Sequence, residues 1–158
     1  MPLDHGIAHP LLSAEEELPT SLPALPVLLR LPYLRGQTHR WHMRGTTPDQ
    51  AAHELLEVLA ALQGLSIVAQ AAGLTGFARL CLRMSEQFEQ LCSAGRVSNN
   101  AARVFVSWTQ SADRYLRRPA SRTLIATLVS QLGVADWPSP LPAREQDRFI
   151  HEMLAPFA

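Results

Sequence analysis

Apolar residues recur at helical spacing along most of this chain, and over no useful length do they alternate with the period of two that a half-buried strand requires. The cleanest stripe is Phe77, Leu80, Cys81, Met84, Phe88 and Leu91, which would lie on one face of a helix running from about Thr75 to a left-handed cap at Gly95. Before it, Thr47-Pro48-Asp49-Gln50 offers a capping hydroxyl, a proline at the first helical position and a glutamine three residues on, so a helix is predicted from there to about Ala72. Its apolar positions are Leu55, Leu59, Leu62, Leu65, Val68 and Ala69. Gly64 interrupts it at a cost of ~1 kcal/mol against alanine, which predicts close approach by a neighbour.

The pattern continues to the end of the chain. Ser98 caps a predicted helix with Ala101, Phe105, Trp108, Ala112 and Tyr115 inward, stopped by Pro119. Leu124, Ile125, Leu128, Val129 and Leu132 give another that ends at Gly133; Asp136 to Pro142 must be a loop; Arg144 to Leu154 closes with Phe149, Ile150, Met153 and Leu154 inward. Four to five helices on short connections predict an all-α fold, an antiparallel bundle over residues 47–158.

Residues 1–46 differ in kind. Pro2, Pro10, Pro19, Pro23, Pro26 and Pro32 each remove an N–H donor and restrict the preceding residue, so this segment is expected to be an irregular Pro-rich arm or packing layer. A short strand could hide only between Pro26 and Leu31. Charge is segregated within the segment: Asp4 and Glu15-Glu16-Glu17 come first, then Arg30, Arg35, Arg40 and Arg44 with no acid between Pro26 and Thr46.

A length of 158 residues suits one domain, and 47% hydrophobic with 18% charged residues is too apolar for a disordered chain. No run approaches the ~20 apolar residues of a membrane-spanning helix, and Asp4 and His5 follow Met1 in place of a basic-then-apolar leader, so a cytoplasmic, non-membrane protein is expected. All fourteen basic residues are arginine, which excludes a Schiff-base or P-loop lysine and suggests a GC-rich bacterial gene. Zero net charge argues against wholesale attraction to nucleic acid or anionic lipid.

Catalytic and metal-ligating patterns are thin. His39-x-x-His42 and His5-x-x-x-His9 have helical spacing but no carboxylate or thiolate beside them, so neither metal nor cofactor is expected. Ser66, Ser85, Ser107 and Ser130 fall in helical stretches, away from any nucleophile elbow. Cys81 and Cys92, eleven positions apart on one predicted helix, would stand ~16 Å apart, beyond the ~7 Å that a disulfide spans, and read as reduced buried thiols. Tyr33 and Trp41 interleave the arginines of the arm, and Arg114, Arg117, Arg118 and Arg122 form a second basic run at a helix end. The expected protein is not an enzyme.

The stretch from Leu59 to Gln90 resembles a histidine phosphotransfer domain. There, a helix presents the acceptor in a His-x-Leu-Lys-Gly context, followed by Ala, Gly-Leu and a second helix of the form Leu-x-x-Leu-Cys-x-x-x-Glu. Ala69-Gln-Ala-Ala-Gly73-Leu74-Thr-Gly-Phe77-Ala78-Arg-Leu80-Cys81 follows the latter half. Anchored on Gly73 and Leu74, the register puts Gln63 where the acceptor histidine stands; anchored on Leu62-Gln63-Gly64 it puts Ala60 there. Neither side chain has a ring nitrogen to hold a phosphoryl group near neutral pH. The resemblance therefore implies a degenerate domain like those of FimL-type scaffold proteins and hybrid sensor kinases in bacterial pilus chemosensory systems: a non-catalytic adaptor whose partner is a response-regulator receiver or another signalling protein.

Gln63, Ser66, Gln70, Arg79 and Arg83 are the expected partner-binding residues, with Gln63 at least partly exposed. A nucleic-acid or anion-binding protein using Arg35, Arg40 and Arg44 is the alternative.

Overall fold

A computed structural model describes residues 24–43, 48–94 and 99–157, with backbone alone for residues 39–43, 48–52, 92 and 99. Among these residues there are six α-helices and no strand: α1 (Leu25–Met43), α2 (Pro48–Ala71), α3 (Thr75–Ala94), α4 (Asn99–Arg117), α5 (Arg122–Ser130) and α6 (Ala143–Leu154). Single 3-10 turns, Gln131–Gly133 and Ala155–Phe157, follow α5 and α6.

α1 lies where an irregular arm or a short strand is expected from the prolines, and corrects both for residues 24–43. Pro26 sits in the first turn, where its missing N–H leaves nothing unpaired. Pro32 is interior but exposed, on the side of the helix away from the core. The buried residues Ala24, Val27, Leu31, Leu34 and Thr38 recur at helical spacing, and their burial against α2 and α4 offsets the lost hydrogen bond. The Thr38 hydroxyl donates to the Leu34 carbonyl one turn back at 2.7 Å.

The later helices start and stop close to their predicted positions. α2 ends in a turn at Gly73, whose φ of +85° is the left-handed conformation that favours glycine, with the Leu74 N–H donating to the Ala69 carbonyl at 2.9 Å. Ser121 caps α5, its hydroxyl accepting from the Leu124 N–H at 3.3 Å. The caps expected from Thr47 to Gln50, and at Gly95 and Ser98, lie outside the described side chains.

α1 packs on α2 and α4, α2 on α3, and α4 on α5; α6 returns to α3. α3 and α4 are joined through large rings. Phe77 lies 5.1 Å from Tyr115 and 6.3 Å from Trp108, and Phe88 meets Phe105 edge-on at 4.5 Å. All five rings are buried, within the distances at which aromatic pairs add to plain burial.

The loop after α5 is tied down at several points. Trp137 donates its indole N–H to the Gln131 carbonyl at 2.8 Å, and its ring packs 6.0 Å from Phe88. The buried Gln87 amide donates to the Ser139 carbonyl at 2.6 Å and accepts from the Ser139 N–H at 3.0 Å. α6 then crosses Gly76, where a Cβ would stand 2.8 Å from Met153 Cγ and 3.1 Å from the Met153 backbone. Close approach therefore occurs at Gly76, whereas a Cβ on Gly64 would meet nothing within 4 Å.

Candidate functional site

Four of the five predicted partner-binding residues lie on two surfaces, Gln63 and Gln70 on one and Arg79 and Arg83 on the other. The first is the outer side of α2. Gln63 and Gln70 are both exposed, seven residues and therefore ~10.5 Å apart on one face. Leu56, Ala60 and Ile67 continue the same ridge at steps of three and four; Ile67 is 70% exposed and Leu56 57%. Ser66 does not join them. It is buried, and its hydroxyl donates to the Ala78 carbonyl at 2.9 Å, bracing α2 against α3. This corrects the expectation that Ser66 faces a partner: position 66 falls on the flank of α2 that α3 covers.

The second surface is a groove of roughly 300 Å³ between α3 and α6, lined by Arg79, Leu82, Arg83, Glu86, Arg148 and Phe149 among others. Arg79 donates to Glu152 at 2.5 Å, with its guanidinium carbon 5.7 Å from the Phe149 ring centre. Arg83 pairs with Glu86 at 3.0 Å and lies 4.0 Å from Glu145, while its Nε is buried with no hydrogen-bond partner. Both arginines are thus held between α3 and α6, on a different groove from the glutamines of α2. Pairing with acids on another helix cannot be read from the spacing of a stripe.

Of the predicted anion-binding residues, Arg35 is exposed at a groove of roughly 450 Å³ between α1 and α4, with Gly36, Thr109 and Gln110. The side chains of Arg40 and Arg44 lie outside the described residues, as do those of His5, His9, His39 and His42. Among the described residues no three His, Cys, Asp or Glu side chains are placed to share a metal ion.

The seam between α1 and α2 went unread in the sequence. Arg30 and Tyr33 of α1 face Ala60, Ala61, Gly64 and Leu65 of α2 across a cleft of roughly 170 Å³. Leu29, 72% exposed, and Leu25 extend its apolar border along α1. The signal was present in the spacing Leu25, Leu29, Tyr33, but the prolines argued against a helix that would give that spacing meaning.

Nucleophilic groups in the core are silenced. Cys81 is a free, buried thiol, and loss of hydration pushes its pKa well above the ordinary thiol range. Burial, and then the neighbouring Cys81, raise the Tyr115 phenol likewise. The side chain of Cys92 lies outside the described residues.

Searched against protein-family models, curated proteins and solved structures, the chain finds no match.

Proposed function

We propose that the chain is a non-catalytic, histidine-phosphotransfer-like adaptor of bacterial two-component or chemosensory signalling, which docks a response-regulator receiver or a related signalling protein in the cytoplasm without accepting phosphate. The observation that supports this reading is the exposure of Gln63 on the outer ridge of α2, at the position where the register anchored on Gly73 puts an acceptor histidine. Leu56 and Ile67 flank it with exposed apolar surface, which in a soluble partner-binding face forms the centre of the contact while Gln63 and Gln70 supply its polar edge. With this reading goes an antiparallel up-and-down course of α1 to α4, which short connections favour.

The inert half of the proposal follows from chemistry: an amide nitrogen is delocalised into its carbonyl and is no nucleophile toward phosphorus. Incubation with phosphorylated receivers from the same organism, followed by acid and base treatment of the protein, tests it. The expected result is binding without acid-labile, base-stable phosphate on this chain. Stoichiometric labelling overturns the inert half, and a failure of every receiver to bind overturns the docking half. Gln63→His is expected to fold as the parent does, since exposed substitutions usually change stability by less than ~0.5 kcal/mol, and to gain a ring that can be labelled.

A further inference from the structure

The charges of this chain sum to zero but are not spread evenly. From Asn99 to Gly133, across α4 and α5, five arginines (Arg103, Arg114, Arg117, Arg118 and Arg122) stand against a single acid, Asp113. Four of the five fall within nine residues at the corner between α4 and α5, and all four are exposed. Asp113 is engaged by Arg117 at 3.2 Å, while Arg114, Arg118 and Arg122 make no ion pair among the described residues.

Backbone hydrogen bonds hold these three together. The Arg118 N–H donates to the carbonyls of Arg114 and Tyr115 at 3.3 and 2.9 Å, and the Ser121 N–H donates to the Arg118 carbonyl at 3.0 Å. Arg114 and Arg118 are therefore one helical turn apart, ~6 Å along the axis, and Arg122 follows a tight turn whose ends lie within ~7 Å, so the three stand on ~17 Å of backbone at most. One of the placements runs against stability. The dipole of α4 favours Arg114 and Arg117 in its last turn, but the first turn of α5 holds no acid, and Arg122 stands at the positive end of that helix, where a cation destabilises.

The surroundings of the arginines narrow the partner. The large exposed hydrophobic side chains among the described residues belong to α1, α2, α3 and the last turn of the chain, and none to α4 or α5. A lipid surface takes apolar side chains that insert, unpaired bases take aromatic rings to stack on, and a protein partner takes apolar anchors. Exposed arginines without any of these suit a partner gripped by its phosphates alone. We propose that the α4–α5 corner binds the phosphate backbone of duplex nucleic acid through Arg114, Arg118 and Arg122, without reading its sequence. Each guanidinium presents a fork of donors to phosphate oxygens. Because the whole chain is neutral, the attraction is confined to this corner and depends on a few contacts.

This inference goes beyond the adaptor reading, whose ridge lies on α2, and is tested with no receiver present. Fluorescence anisotropy of a labelled duplex titrated with the full chain is expected to show binding that weakens steeply with salt. Three phosphate contacts at ~0.9 each give a slope of about −3 in log affinity against log salt, roughly sixtyfold between about 50 and about 200 mM. Arg122→Glu is expected to weaken binding about tenfold or more and, because an acid suits the start of a helix, to raise the thermal midpoint by about 1–4 °C. An arginine with a merely structural role would not move those two readouts in opposite directions. Arg114→Gln combined with Arg118→Gln, on the α4 side of the corner, weakens binding independently should the first variant fail to fold. Arg144→Gln, at an exposed arginine of α6, leaves binding unchanged. Absence of binding at about 50 mM salt, a slope near zero, or an equal loss in Arg144→Gln overturns the proposal. Tighter binding to the single strand, or to vesicles of anionic lipid, overturns it as well.

Discussion

On the α3 to α6 side of the molecule, large side chains that leave the core mostly meet another element, whereas on the α1 and α2 side several meet solvent. Arg79, Glu152 and Phe149 form one closed contact, Gln87 and Ser139 another, and Gly76 admits the backbone of Met153. Leu29, Tyr33, Leu56 and Ile67 are exposed, without such cover among the described residues. The helices of the first group are amphipathic, with one apolar stripe that a single bundle satisfies; α2 carries apolar side chains on its outer ridge as well, Leu56 and Ile67 among Gln63 and Gln70, and one bundle buries only part of them. A closed side reports how the chain folds, and an open side reports what it meets.

The largest effect that would sharpen this contrast is expected in the aromatic core. Phe88→Ala removes a ring that Phe105 and Trp137 both contact and should cost about 3–5 kcal/mol in a urea melt. A loss as small as that of a surface residue would mean the closed side is not close-packed.

Alkaline pH comes next. Cys81 and Tyr115 are buried neutral, with folded pKa values raised above the ordinary 9.0 and 10.0 that the unfolded chain would show. The unfolded state therefore releases protons first as pH rises, so stability is whole below pH 9.0 and drains above it, first through the thiol and then the phenol. Cys81→Ala should flatten the start of that decline in a series of melts, and site-resolved alkylation should leave Cys81 of the folded chain untouched at pH 8.

One substitution made on each side should then change sign. Gly76→Ala drives a methyl into Met153 and should destabilise by about 1–3 kcal/mol. Gly64→Ala meets open space and should stabilise the dilute single chain by up to ~1 kcal/mol. If both destabilise, the open side is more tightly packed than the geometry shows.

The smallest effect is expected at the α3–α6 ion pair. Arg79 is 56% exposed, so Arg79→Ala should cost less than ~1 kcal/mol by thermal unfolding, and less again at high salt.

Most of the fold from residue 47 onward was legible because its helices have one wet and one dry face. Phe77, Leu80, Cys81, Met84, Phe88 and Leu91 are all buried, as their spacing predicts, and so are Ala101, Phe105, Trp108, Ala112 and Tyr115. α1 was hidden because Pro26 and Pro32 carry a strong local preference that tertiary burial of Val27, Leu31 and Leu34 overrides. From residue 48 onward five α-helices are described, and α1 makes the sixth in the segment where the prolines predicted an arm. In the candidate site, the exposure of Gln63 was expected from its place off the Leu55–Leu59–Leu62 stripe. The burial of Ser66 was not, because which flank of α2 receives α3 depends on the turn at Gly73 and not on any stripe. The acid partners of Arg79 and Arg83 include Glu152 and Glu145 on α6, more than sixty residues away in the chain, beyond the reach of any local pattern.

The amide of Gln87 also decides how the chain withstands proteases. Cleavage requires several residues of backbone to peel away and lie extended in an enzyme cleft, and the loop Asp136 to Pro142 would otherwise be the natural place for it. With Ser139 gripped at both its N–H and its carbonyl, Trp137 plugged against Phe88, and three prolines resisting the required shape, that segment cannot lift without breaking several contacts at once. A nick between α5 and α6 is thereby discouraged, and Phe149 and Met153 remain attached to the bundle they help to seal.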